Sequence, residues 1–222
     1  MNAAADGVER AARWLAGQYD DAVQQREAAT LGMWLFLATE ILFFGVLFAG
    51  YVVCRVLYPQ GFAVASRHTD MLLGTLDTAV LLVSSTAIAC GVRALKLEQR
   101  RAAVALLALT AALGLTFLVM HGFEYHCEYR EHLLPGLDFS QPGATAAAVE
   151  LFFCLYYFIT GFHSLHVLIG VVIILVLALR VARGAYGAQR FTTPELTALY
   201  WHLVDIVWIF VYPALYLIGR SG

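Results

Sequence analysis

The side chains best equipped for chemistry in this sequence stand where charge is least expected. Glu40 lies inside MWLFLATEILFF, an apolar run that opens near Leu31. His163 and His166 occur in TGFHSLHV, and His202 and Asp205 in WHLVD, each pair three residues apart. On a helix, that spacing puts both members of a pair on one side, about a turn apart. Asp77 interrupts a second apolar run, and His121, Glu124, His126, Glu128, Glu131 and His132 crowd the end of a third.

An ionisable group within a membrane span is costly unless it is paired or turned toward protein, so each of these marks a candidate site. For Glu40 two readings stand: a proton-linked or lipid-contacting carboxyl, or a hydrogen-bonded one that fixes helix packing. In the second case the carboxyl is neutral through desolvation or is held by a donor from another span, and His163 and His166 are the nearest plausible donors by depth. Two histidines at i and i+3 could suit a metal, but without a third ligand of matching geometry they read as structural. The His202–Asp205 pair reads as a satisfied core pair, although a carboxylate can also orient a ligand histidine. Asp77 is expected to face other helices. The stretch from His121 to His132 has the residue types of a metal site, yet it occupies the outer end of the third apolar run and the loop after it, largely at the water interface, which predicts a solvated or partner-facing loop. No metal, haem or catalytic centre is therefore assigned to the chain.

These residues are positioned by long apolar runs. The chain is 61% hydrophobic and 14% charged, with mean hydropathy +0.73, against about 25% charged residues in a soluble domain. Runs at 31–56, 71–92, 102–123, 144–179 and 196–218 are each long enough to cross a bilayer, which takes about 20 helical residues. The fold class that follows is an all-α integral membrane bundle of five transmembrane helices. Residues 1–29 are polar and predict a cytoplasmic N-terminal segment, with a short surface helix near 10–19; residues 30–222 form the membrane domain. The formal net charge is -2, which offers nothing to nucleic acid. Cys54, Cys90, Cys127 and Cys154 form no CxxC pair, which excludes the usual zinc motifs.

Orientation follows from basic residues. Arg10, Arg13, Arg26, Arg93, Lys96, Arg100, Arg101, Arg180, Arg183 and Arg190 fall on one side, against Arg55, Arg67, Arg130 and Arg220 on the other. The positive-inside rule then places the N-terminus inside and the C-terminus outside. The expected location is a bacterial cytoplasmic (inner) membrane, crossed several times. Gly32, Ala38, Gly45 and Ala49 in the first run, and Ala108, Ala111, Ala112 and Gly114 in the third, predict surfaces where a neighbouring subunit approaches closely.

Four segments resemble one family. Residues 32–51, GMWLFLATEILFFGVLFAGY, are similar to the glutamate-bearing helix of cytochrome c oxidase subunit III, with Glu40 at the glutamate position. GFEYHCEY (122–129) resembles its end-of-helix motif at Glu124 and Tyr125. TGFHSLHVLIG (160–170) resembles its TGFHGxHV signature at Gly161, Phe162, His163, His166 and Val167. YWHLVDIVWIFVYPALYL (200–217) resembles its C-terminal helix at His202, Asp205 and Trp208. The resemblance covers nearly all of the chain after Thr30.

The resemblance implies an accessory subunit III of a haem–copper respiratory terminal oxidase, with partners among the other oxidase subunits and membrane lipids. Haem and copper are expected in the partner subunit I, and structural phospholipid on this chain. Its implied work is to stabilise subunit I and to support proton uptake there; the residues themselves offer Glu40, Asp77, Glu124, His163, His166, His202 and Asp205 as the candidate buried polar, proton- or lipid-linked set. Longer family members carry two further helices before the glutamate-bearing one, which leads here; five-helix bacterial forms, including quinol-oxidase and nitric-oxide-reductase-associated relatives, share this plan. A different class of function is a stand-alone proton-coupled transporter, or a haem or metal protein, using Glu40 and the His/Asp pairs for itself.

Overall fold

The computed structural model describes residues 21–136, 138–139, 143–186 and 191–217. The surface helix expected near 10–19 lies outside these residues, as do Arg190, Arg220 and the end of the fifth run. The chain divides into two compact units, Met1–Leu42 and Phe43–Gly222, each described by itself.

The described chain is helical almost throughout. In order come α1 (Ala22–Leu57), α2 (Pro59–Ala65), α3 (Met71–Lys96), α4 (Arg100–Arg130), α5 (Ala146–Ala182) and α6 (Thr192–Tyr212). A π-helical turn, Pro213–Leu217, continues α6, and a two-stranded antiparallel ribbon, β1 (Leu133–Leu134) with β2 (Asp138–Phe139), lies between α4 and α5. Among the described residues, five helices are long and apolar enough to span a membrane. All five occupy the predicted runs. Most extend past them by a few residues, because polar flanks continue a helix as readily as apolar ones.

Local chemistry sets the helix ends. The Asp21 carboxylate accepts from Gln24 N (2.7 Å) at the start of α1. The Asp70 carboxylate accepts from Leu72 N and Leu73 N (2.9 and 3.2 Å) at the start of α3, and Pro59 opens α2. Both devices deal with amides that a helix leaves without intrahelical partners. At the close of α3, Glu98 takes φ 60° and Gln99 N donates to Ala94 O (2.9 Å). At the close of α5, Gly184 takes φ 79° and Ala185 N donates to Arg180 O (3.0 Å). These are left-handed caps that turn back on the last carbonyls.

In the unit from Phe43 onward, α3 packs on α4, α4 on α5, α5 on α6, and α6 back on α3. The core lies inside that closed ring of four helices. Its centre is Trp201, fully buried, whose indole Nε1 donates to Ser84 Oγ (3.0 Å). Glycines let the ring come close. A Cβ at Gly114 would lie 2.7 Å from both Trp201 and Val171, and one at Gly170 would lie 2.8 Å from the opposite edge of the indole. Gly114 and Ala111 thus face this chain's own core and not a neighbouring subunit, which corrects the expectation for half of the third run's small residues. Ala108 and Ala112 remain on the exposed side.

The later half of α1 joins the same unit through Tyr51. Its hydroxyl donates to Ala214 O (2.6 Å), and its ring meets Phe62 and Phe152. At one end of the ring, Arg100 Nε donates to Val181 O (2.9 Å), while Lys96 pairs with Glu195 and lies over the Phe191 ring. The basic turn after α3 and the basic segment after α5 therefore share that end.

A buried polar cluster inside the helix ring

The inner row of α4 runs through Ala103, Leu107, Thr110, Ala111, Gly114, Phe117, His121, Glu124 and Glu128, all buried. Apart from the adjacent Thr110 and Ala111, the steps are three or four residues, the repeat of one helix face. The row changes from apolar to ionisable at His121 without leaving the interior.

Asp77 on α3 faces this row and is 0% exposed, with His121 at 2% and Glu124 at 3%. Ligand-capable atoms of the three all lie within 4.8 Å of one another. His121 Nδ1 is 3.4 Å from Glu124 Oε2, which accepts from the Tyr216 hydroxyl (2.8 Å). That hydroxyl lies 3.3 Å from the hydroxyl of Tyr156. The His121 ring is stacked on Phe117 and meets the edge of Trp208. Neither oxygen of Asp77 and neither ring nitrogen of His121 has a hydrogen-bond partner among the described residues. Buried polar groups are ordinarily bonded, so such a set is chemically committed to something: shared protons, ordered water or a cation.

This corrects the prediction of a solvated loop from His121 to His132. The third spanning helix, α4, does not stop at residue 123 but continues to Arg130. His121, Glu124 and Glu128 are carried inward, whereas His126, Glu131 and His132 are exposed. The signal was present: steps of seven from Leu107 reach Gly114, His121 and Glu128. The change from apolar to charged residues hid it.

The two histidines of α5 part company. His163 is fully buried between Phe117 and Trp208, close to the cluster. His166 is half-buried; its Nδ1–H donates to Phe162 O (2.7 Å) and its ring meets the edge of Phe44. Tyr125 and Thr160 join α4 to α5 beside them, hydroxyl to hydroxyl at 2.5 Å. On α6, the predicted His202–Asp205 pair does not close on itself. His202 Nδ1 bonds Ser85 Oγ of α3 (2.7 Å), and Asp205, 3% exposed, lies against the same serine. Glu40 occupies the interior of α1, within the unit ending at Leu42.

Spanning helices closed around buried carboxyls and imidazoles define a multi-pass membrane protein. Residues 8–220 match the family described as cytochrome c oxidase subunit III, and the chain belongs to that family. It is 33% identical over 202 residues to a cytochrome c oxidase subunit 3 of Thermostichus vulcanus, covering 90% of this chain and 92% of that protein. It is 31% identical over 212 residues to a probable cytochrome c oxidase subunit 3 of Rickettsia felis, covering 87% of this chain and 70% of the longer relative. A probable quinol oxidase subunit 3 of Staphylococcus epidermidis is 27% identical over 206 residues, covering 92% and 96%.

Proposed function

We propose that this chain is the accessory, non-redox subunit of a haem–copper respiratory terminal oxidase, held against the subunit I that carries haem and copper. The observation that carries this reading is the extent of the family match, residues 8–220, which takes in all five spanning helices. In this reading the chain stabilises subunit I, binds structural phospholipid and supports proton uptake into its neighbour. Outward apolar side chains suit the first two roles: Val46, Val53 and Val56 on α1, Val119 and Phe123 on α4, and Ile206 and Phe210 on α6. Acyl chains or a neighbouring helix would cover them equally well. Glu40 supplies the ionisable group for the third role.

The same reading sets the chain in a bacterial inner membrane with its N-terminus inside. Support comes from the basic residues that gather at the end of the ring holding Lys96 and Arg100. The relatives carry both cytochrome c and quinol oxidase names, so a quinol-fed complex is a second reading, favoured by the 96% coverage of the Staphylococcus relative. The test is affinity purification of the chain from its membrane in mild detergent. A haem–copper catalytic polypeptide in equal amount is the expected companion. Recovery of the chain without one refutes the proposal.

A further inference from the structure

The cluster of Asp77, His121 and Glu124 asks for a positive charge. Two carboxyl groups and one imidazole, from two helices, are buried in a membrane-spanning bundle with ligand-capable atoms within 4.8 Å of one another. Only one of their oxygens, Glu124 Oε2, receives a described hydrogen bond, from Tyr216. The second, independent observation is Asp77 itself: fully buried, both oxygens without a partner, and directed at the other two. Among the described residues, no buried arginine or lysine answers it. Burying carboxylates without a counter-charge is among the most costly arrangements a fold can adopt.

We propose that Asp77, His121 and Glu124 bind one divalent first-row metal ion, of the zinc type, which ties α3 to α4. Two carboxylates balance the charge of a divalent ion, and a neutral imidazole completes the set without adding charge. Imidazole and carboxylate together suit zinc and its neighbours in the first row. A tetrahedral ion with bonds of about 2.0–2.1 Å sets its ligand atoms about 3.4 Å apart. The His121–Glu124 separation, 3.4 Å, already has that value, so closure needs a modest inward shift of Asp77. Tyr216 holds Glu124 by its Oε2, as outer partners of metal-bound carboxylates do. The ion performs no redox step; it neutralises and cross-links. The sequence alone puts His121 and Glu124 at the water boundary, where such residues need no metal, and their burial removes that ground.

The test uses the chain purified in mild detergent, with its companion subunits, through a tag free of histidine. After treatment with a chelator the sample is titrated with zinc, and retained zinc is counted per chain by mass spectrometry of the elements. Wild type should retain one equivalent that Asp77→Asn and His121→Gln lose or bind at least tenfold more weakly. His126→Gln, exposed on the same helix, should retain it in full. Should the first two variants fail to accumulate, zinc-edge X-ray absorption of the wild type decides. One imidazole with oxygen ligands and no sulfur supports the site; sulfur, or several imidazoles, overturns it. Wild type that retains no more zinc than Asp77→Asn also overturns it, and leaves proton sharing among the three groups as the account of their burial.

Discussion

Adding a methyl group at Gly114 tests the helix ring at its tightest point. In Gly114→Ala the new Cβ would lie 2.7 Å from Trp201 Cη2, 2.7 Å from Val171 Cγ2 and 3.2 Å from Trp201 Cζ2. Comfortable carbon contacts begin near about 3.5 Å, so two neighbours must each yield by most of an ångström. Trp201 has little room to do so. Its Nε1 is bonded to Ser84, its far edge meets Gly170 at a distance that admits no Cβ, and it is fully buried. Overpacking of this kind costs about 1–3 kcal/mol. Alanine also gains about 0.5–1 kcal/mol over glycine in a helix. Gly122→Ala on the same helix removes that second effect from the comparison, since nothing lies within 4 Å of its added Cβ. The difference between the two variants should therefore be about 1–3 kcal/mol, with Gly114→Ala the less stable. Unfolding by increasing fraction of a denaturing detergent in mixed micelles, followed by tryptophan fluorescence and helix signal, measures it. Equal midpoints for the two variants would show that Trp201 is not wedged as described.

Three further outcomes follow from the same structure. Tyr216→Phe removes the hydroxyl that donates to Glu124 and should cost about 1–3 kcal/mol in the same unfolding assay; an unchanged midpoint would mean that the bond is not formed. Glu40→Gln should leave assembly intact, because the amide keeps the shape and still bonds, while oxygen consumption declines progressively during turnover; loss of assembly would instead make the carboxyl a structural partner. A reporter fused after Gly222 should read as outside the cytoplasm and one placed in the turn at 97–99 as inside, and the opposite pattern would overturn the proposed orientation.

The spans were legible in the sequence because length and hydropathy alone decide them, and the α3 start at Met71 coincides with its predicted residue. What hydropathy does not encode is how each helix is rotated. Ala108 and Ala112 look like Ala111 and Gly114 on paper, yet the second pair is buried, with Gly114 against Trp201 and Val171, and the first pair faces outward. Small residues favour close approach whether the neighbour is the chain's own helix or another subunit's. The spacing of His163 and His166 puts them on one side of the helix and does not separate them. The neighbours do so, with Trp208 on one side and Phe44 on the other. The polar cluster was obscured for a different reason. Charged residues at the end of an apolar run suggest the water boundary, and only the continued face through Phe117, His121, Glu124 and Glu128 shows that the helix carries them inside.

An accessory subunit that leaves redox chemistry to its partner should itself hold no haem, and following the haem shows whether it does. The complex is purified through this chain in mild detergent, its haem spectrum recorded per chain, and the chain then released with a stronger detergent and separated. A haem absorbance band is expected in the intact complex and should stay wholly with the released partner. Haem that remains with this chain after separation, or an intact preparation with none, would contradict the accessory role.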